Sequence, residues 1–532
     1  MRLRFRETLD AVSRSPSRAF LVFSLSFVAG VAIAASSEGR LPFFSYIAAV
    51  AVGVCVFVCI VRPGRTVFVW CAIVLCLFLG VWRHDAAYRA SAYALPPIVI
   101  EGGSFEGRVV SFPLVRVSNT VLTVDDVKLL NDKPGFREAR LGTLGKARLY
   151  VRTPYEYRYG DVIRWGCKPR VVEDSEGWND RLLLDDVRWT CNVYSDSEIV
   201  ARGRGHPVRA VLYSVKGAVR DAAWRMFPEP ESSFLLGLLV GMKDGLPTEM
   251  TDAFRDTGTS HILAVSGYNV TQLIEVGVLV FALAYVRRRR SSGLMVLAVI
   301  VFACIVGGDA SVIRAALMGT VAVLATLFGR RYDSVRALSV AAALMLAVNP
   351  LVLRHDVGFQ LSFAAVWGLY ALAPAFYRTI PMSLRNSLTK TMTETASATL
   401  ATAPIVLYSF GRLPYVGLVA NMLILPLIPW VMLFGVVAMA VGTVSWSVAA
   451  VPALIATSIM RVIEWTALTL AEYVPYALEG YAGPVTTVLL FGWLFLLAYA
   501  LSRAGSRKQK AGSVQRRVLP PPASRLPPEQ PL

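Results

Sequence analysis

The chain has 532 residues, 55% of them hydrophobic and 17% charged, with a net charge of +18 and a mean hydropathy of +0.53. That is too apolar for a soluble chain that must keep a wet surface, so the lipid bilayer is the first solvent to consider. Much of the positive excess lies in short runs (Arg2 to Arg18, Arg287 to Arg290, Arg330 with Arg331, Arg503 to Arg517), which mark cytoplasmic loops before they mark a nucleic-acid site, although a basic cytoplasmic rim also attracts a polyanion.

The first apolar run, Phe20 to Ala35, follows five arginines and has no convincing small-residue cleavage site, so it predicts a retained span. Runs near Phe43 to Val61 and Thr66 to Val81 predict two more, and with the amino terminus inside the third ends outside. From Trp82 to Arg204 charges are frequent and period-two segments appear. Phe105 to Ser111, Asn119 to Val127, Lys146 to Arg152, Asp161 to Lys168 and Leu182 to Cys191 predict five strands, which suit a small OB-like barrel. Outside the cytoplasm, Cys167 and Cys191 are placed to pair; the alternative is two buried thiols.

Val208 to Phe227 repeats apolar residues at three and four against Arg209, Lys216, Arg220 and Arg225, the pattern of an interfacial amphipathic helix. Phe234 to Met242 has about half the length of a span and reads as re-entrant or interfacial. Nine further spans are predicted near Ser260 to Val286, Leu294 to Val306, Ser311 to Phe328, Val335 to Val348, Gly358 to Tyr377, Glu394 to Phe410, Val416 to Val444, Ala449 to Leu470 and Val485 to Leu501. Pro426 and Pro429 mark the seventh of these as a broken helix.

The fold class is therefore mostly α, a polytopic membrane helical bundle of about 12 spans with one extracytoplasmic all-β, OB-like barrel. The regions are 1–82, three spans; 83–204, the β domain; 205–247, interfacial and re-entrant segments; 248–502, the main transmembrane domain; and 503–532, a basic, Pro-rich cytoplasmic tail. The expected location is the cytoplasmic (inner) membrane, with both termini cytoplasmic.

The remaining cysteines lie in apolar runs, the four histidines are scattered, and there is no GxxxxGK[ST] loop. No catalytic residue, metal site or cofactor is expected, and work on a nucleotide falls to another protein. Ionisable groups inside spans are costly and ask for a partner or a wet path. On one helix, steps of about 100° bring His261, Tyr268, Gln272 and Glu275 within about 60° of one another. That stripe fits an aqueous passage, or equally an interfacial His261 with a helix-to-helix hydrogen bond from Glu275. A second stripe runs from Asp356 through Gln360, Phe363, Trp367 and Tyr370, where core packing explains the aromatics as well. Asp309 and Arg314 set an acid and a base near one end of another span.

His261-Ile-Leu-Ala-Val-Ser-Gly267, Ser311-Val-Ile-Arg-Ala-Ala-Leu-Met318, Gly329-Arg330 with Asp333, Asn349-Pro350 and Asp356-Val-Gly-Phe-Gln-Leu-Ser-Phe363 occur in an order that resembles the ComEC family of competence proteins. The resemblance implies transport of single-stranded DNA across the cytoplasmic membrane in natural transformation. It also implies a passage lined by His261, Ser266, Tyr268, Asn269, Gln272, Glu275, Arg314, Asp356 and Gln360. Two departures stand out. The family usually continues from Ser-Gly into Leu-His, where this chain has Tyr268-Asn269, and many members end in a metallo-β-lactamase-like domain that is expected to be missing here.

For the barrel, nine Lys or Arg stand against three acids between Arg137 and Arg170, interleaved with aromatics. A strand-binding face is expected of Arg148, Tyr150, Arg152, Tyr157, Arg158, Arg164, Trp165 and Lys168, by phosphate neutralisation and base stacking; alternating charges on an exposed barrel side are the plain alternative. Expected partners are single-stranded DNA, membrane lipid, an outer DNA receptor, a cytoplasmic translocating ATPase, a separate nuclease and single-strand-binding proteins. Two rivals are a transporter of another polyanionic or lipid-linked substrate, which would show inverted repeats, and an intramembrane hydrolase using Ser266 and His261.

Overall fold

The structure, a computed structural model, describes residues 15–36, 50, 54–55, 61, 64–91, 103–115, 119–130, 144–152, 156–172, 182–193, 197–242, 245–263, 265–473, 477–480, 483–498 and 500. The expected span near Phe43 to Val61 and the basic tail therefore lie almost wholly or wholly outside the described residues. Among the described residues seven helices are long and apolar enough to cross a membrane, covering 18–36, 65–89, 288–306, 310–327, 357–379, 417–442 and 446–472. The chain divides into two compact units, residues 1–362 with 414–476, and residues 363–413 with 477–532.

In the first unit, α1 (Pro16–Ser36) and α2 (Arg65–Ser91) cross at Gly30 and Gly80. A Cβ at Gly30 would run into the Leu77 carbonyl and one at Gly80 into the Phe27 carbonyl, so the two backbones touch as only small residues allow. Further along the chain, α3 (Pro207–Met226), α4 (Glu231–Val240), α5 (Thr248–Asp256), α6 (Gly267–Leu283), α7 (Arg288–Val306), α8 (Ala310–Leu327) and α9 (Ser334–Val348) follow. Arg18, Leu21 and Val22 of α1 line one groove with Val335 and Arg336 of α9, while Arg354, beyond the far end of α9, donates to the Ala35 carbonyl. Arg83 of α2 donates to the Ala347 and Val348 carbonyls at that same far end.

These contacts make α1, α2 and α9 run in one direction. Arg18, Arg65, Arg330 and Arg331 thus share one end of the unit. Arg288 joins them, its guanidinium donating to Thr326 at the end of α8. The β domain leaves from the opposite end of α2. There Lys216 of α3 donates to the Val306 carbonyl at the far end of α7.

Within this bundle α4 is buried on nearly every side, and from Phe234 onward it is apolar, as a helix inside a core must be. Phe234, Leu235, Leu236 and Leu238 pack with Ile424, Val431, Ala456 and Met460. The long run 416–444 is broken, as Pro426 and Pro429 led one to expect, into α13 (Gly417–Ile424), a 3-10 turn and α14 (Ile428–Gly442), which pack with α15 (Trp446–Tyr473).

The second unit takes the latter part of α10 (Val357–Ala371), then α11 (Ala373–Thr379), α12 (Ser387–Phe410) and α16 (Pro484–Ala498). Asn386 and Thr389 form a capping box that starts α12. Leu372, Ala401 and Leu494 form a small core, with Trp367 against Phe495 at 4.5 Å.

The β domain has all five expected strands, β1 (Gly103–Val109), β3 (Thr120–Leu130), β4 (Lys146–Val151), β5 (Val162–Cys167) and β7 (Val187–Val193). Three short ones join them: β2 (Leu114–Val115), β6 (Arg170–Val171) and β8 (Glu198–Ala201). The fifth expected strand starts late, because Leu182-Leu-Leu-Asp-Asp has no alternation and 182–184 form a helical turn. The order is β6-β7-β4-β3-β1-β5-β8, with β4 and β7 parallel, and the sheet is not closed as the expected barrel would be. It curls nevertheless: only two residues separate β5 from β6 in sequence, yet β6 is one end of the path and β5 is next to the other. Phe105, Trp165 and Trp189 fill the hollow, and the Cys167–Cys191 disulfide, Cα atoms 6.3 Å apart, ties β5 to β7 where no ladder does.

Candidate functional site: a polar junction at the β-domain end

Three helix ends meet at the β-domain end of the first unit: the last turn of α4 and the first turns of α6 and α8. The last carbonyls of a helix have no partner of their own. At α4 the amide of buried Asn269 supplies one, donating to the Leu238 carbonyl at 2.6 Å, while Ser266 donates to Asn269 Oδ1 at 3.2 Å. Ser311 at the start of α8 donates to the Val265 carbonyl at 3.1 Å. One turn on, Arg314 is 8% exposed and donates to the Ser362 carbonyl at 2.8 Å. Gly267 makes room for it: a Cβ there would stand 3.1 Å from Arg314 Nη2.

Below the junction α6 leaves one side uncovered. Tyr268, Thr271 and Glu275 are exposed and Gln272 is half-buried, while Asn269 and Val270 face the core. His261 does not belong to this stripe. The helix begins only at Gly267, and Ser260–Ile262 form a separate 3-10 turn in which His261 is exposed. The break also removes the helical relation assumed between Ser266 and His261. In the second stripe Asp356 caps the start of α10, accepting from the Phe359 amide, and Gln360 donates back to the Leu353 and Arg354 carbonyls of the preceding turn.

The expected basic face of the β domain is largely neutralised. Arg148 pairs with Asp185 at 2.7 Å, Arg164 with Glu106 at 3.1 Å and Arg158 with Glu156 at 3.8 Å. Across the strands Glu198, Arg164, Glu106 and Lys128 stand in register, a row of alternating charge. Trp165, 1% exposed, and Tyr157, 6% exposed and bonded to Ser197, are core residues and present no ring to a ligand. Of the face, Arg152 and Lys168 are exposed and Tyr150 is half-buried. A charge count along residues 137–170 misses Glu106, Asp185 and Glu198 because they lie outside that stretch, on β1, in the turn before β7 and on β8. Behind this sheet Asp161 is buried, and burial pushes its carboxyl above the ordinary value despite the amide of Arg158 and the nearby Arg202.

Two polar links escaped the sequence. Glu231, 4% exposed at the start of α4, meets Arg461 of α15 at 2.7 Å. Lys216, expected on the wet side of α3, is buried: it reaches the Val306 carbonyl and lies over the Phe112 ring of the β domain at 5.6 Å. Phe112 and Tyr159 both pack on Tyr213, and Arg220 sits over both Phe112 and Trp224. Their sequence signal is only a basic amphipathic helix. Among the described residues no group of three His, Cys, Asp or Glu is placed to hold a metal ion.

Long apolar helices joined to a β domain define a multi-pass membrane protein. A family model described as "Competence protein" matches residues 238–504, half of the chain, and the chain belongs to that family. Over 274 residues it is 27% identical to ComE operon protein 3 of Bacillus subtilis (strain 168), a match that covers 50% of this chain and 33% of that protein. No solved structure matches.

Proposed function

We infer that this protein carries single-stranded DNA across the cytoplasmic membrane during natural transformation, with the β domain outside and the arginine-rich ends of α1, α7 and α9 inside. The observation that supports this most is the uncovered side of α6. An exposed carboxylate on a helix in hydrocarbon is costly, and a hydrated path removes the cost. Glu275 lies on that side, two turns from Tyr268, directly beyond a junction made by the family's own motif residues.

In this reading a strand arrives past the β domain, passes the junction that Arg314 holds together, and moves along α6 with Tyr268 offering a ring to a base and Gln272 a hydrogen bond. Asn269 and Gly267 set the helix ends and do not touch the strand. Five crossings complete the seven to give twelve: the segment 43–61, α6, α9, α12 and α16. The curled sheet is OB-like in this reading, and exposed Lys168 stands on its outer face where a phosphate can reach it. Energy comes from a cytoplasmic translocating ATPase, and an outer receptor, a separate nuclease and single-strand-binding proteins serve the two sides.

The test is deletion in the native host, with surface-bound and cytosolic labelled DNA measured separately. Binding at the surface should persist while cytosolic arrival is lost, and complementation with Tyr268→Ala, Glu275→Ala should restore little of it. Unchanged cytosolic arrival in the deletion strain would sink the channel reading.

A further inference from the structure

A groove with a volume of about 390 Å³ opens between the first turn of α1 and the start of α9, far from the polar junction. Its walls are of two kinds. Leu21, Val22 and Val335 are apolar, and Arg18, Asp333 and Arg336 are charged. Arg18 opens the apolar stretch 18–36, so the charged part lies at the level where hydrocarbon gives way to headgroups.

The charge balance favours an anion. Asp333 is engaged at the start of α9, accepting from the Arg336 amide and pairing with Arg336 Nε at 3.2 Å. Two guanidiniums then stand against one carboxylate, and the amino end of the 15-residue α9 adds its own partial positive charge. Exposed Arg330 and Arg331 precede it, with Phe328 beside them 71% exposed. A nucleic-acid backbone matches the charge but has no use for aliphatic walls at the membrane boundary. A lipid that is anionic at one end and aliphatic at the other matches both.

We propose that this groove holds an anionic phospholipid, its phosphate between Arg18 and Arg336 and the upper part of an acyl chain along Leu21, Val22 and Val335. The full-length protein, purified in detergent, would be titrated with phosphatidylglycerol and separately with phosphatidylcholine, and bound lipid counted by native mass spectrometry. Wild type should retain phosphatidylglycerol over phosphatidylcholine. Arg18→Ala with Arg336→Ala should weaken phosphatidylglycerol binding about thirtyfold, the sum of two basic contacts, and abolish the preference over phosphatidylcholine. Arg18→Lys with Arg336→Lys, which keeps the charge, should preserve most of the binding and separates loss of the site from loss of the fold. Equal retention of the two lipids by wild type, equal phosphatidylglycerol binding by wild type and the alanine pair, or displacement of the lipid by a short oligothymidylate would each overturn the proposal.

Discussion

Asn269 joins two helices through a single amide, and its loss has a definable cost. With Asn269→Leu the Leu238 carbonyl stays buried without a donor, which costs about 1–3 kcal/mol. The detergent-solubilised variant should melt at a lower temperature than wild type. Asn269→His should melt close to wild type, since the histidine that the family usually carries at this position has a ring N–H able to reach the same carbonyl. Equal losses in both variants would show that the amide's shape, not its donor, matters. This role was not legible beforehand. A helical wheel places Asn269 beside Tyr268 on one helix, but the Leu238 carbonyl is 31 residues away in sequence. Arg314 and Ser311 were legible as motif residues, and their carbonyl partners were not, for the same reason.

Strands β5 and β7 are neighbours through their side chains and not through a ladder, so the disulfide carries a connection that hydrogen bonds supply elsewhere in the sheet. Its 24-residue separation corresponds to roughly 3 kcal/mol in the chain-entropy account. Cys167→Ala with Cys191→Ala should therefore lower the protein's resistance to proteolysis within the β domain, while cleavage sites in the helices stay unchanged. Equal digestion rates there would remove the disulfide from the stabilising interactions. At this scale the sequence was a good guide where alternation runs for six or more residues, as in β1, β3 and β4. It failed at β2 and β6, which are two residues long, and at α6, where a 3-10 turn and Ser266 interrupt what hydropathy alone reads as one continuous helix. Charge counted along the chain also misjudged the sheet's outer face, because strand pairing sets Arg164 beside Glu106 and Glu198.

For the whole molecule, the grouping of basic ends opposite the β domain turns the positive-inside rule into a geometric statement. Single cysteines at Arg289 and Arg331, in a background without Cys55, Cys59, Cys71, Cys76 and Cys304, should escape a membrane-impermeant maleimide in intact cells, and one at Arg158 should react. The opposite pattern would invert the orientation. The grouping of basic residues at the ends of apolar helices was legible from apolar length and arginine position. The crossing of α1 on α2 at Gly30 and Gly80 was not, since two glycines in separate spans carry no mark that they meet.

The Phe112 contacts have a mechanical side. A domain hung from a flexible linker swings without disturbing what it hangs from. This one is wedged, with Phe112 against Tyr213 and Arg220 while Lys216 grips the end of α7 from the same helix. Phe112 therefore touches α3 directly and, through Lys216, the end of α7, so the sheet and the rim of the bundle share side-chain contacts as well as chain connections.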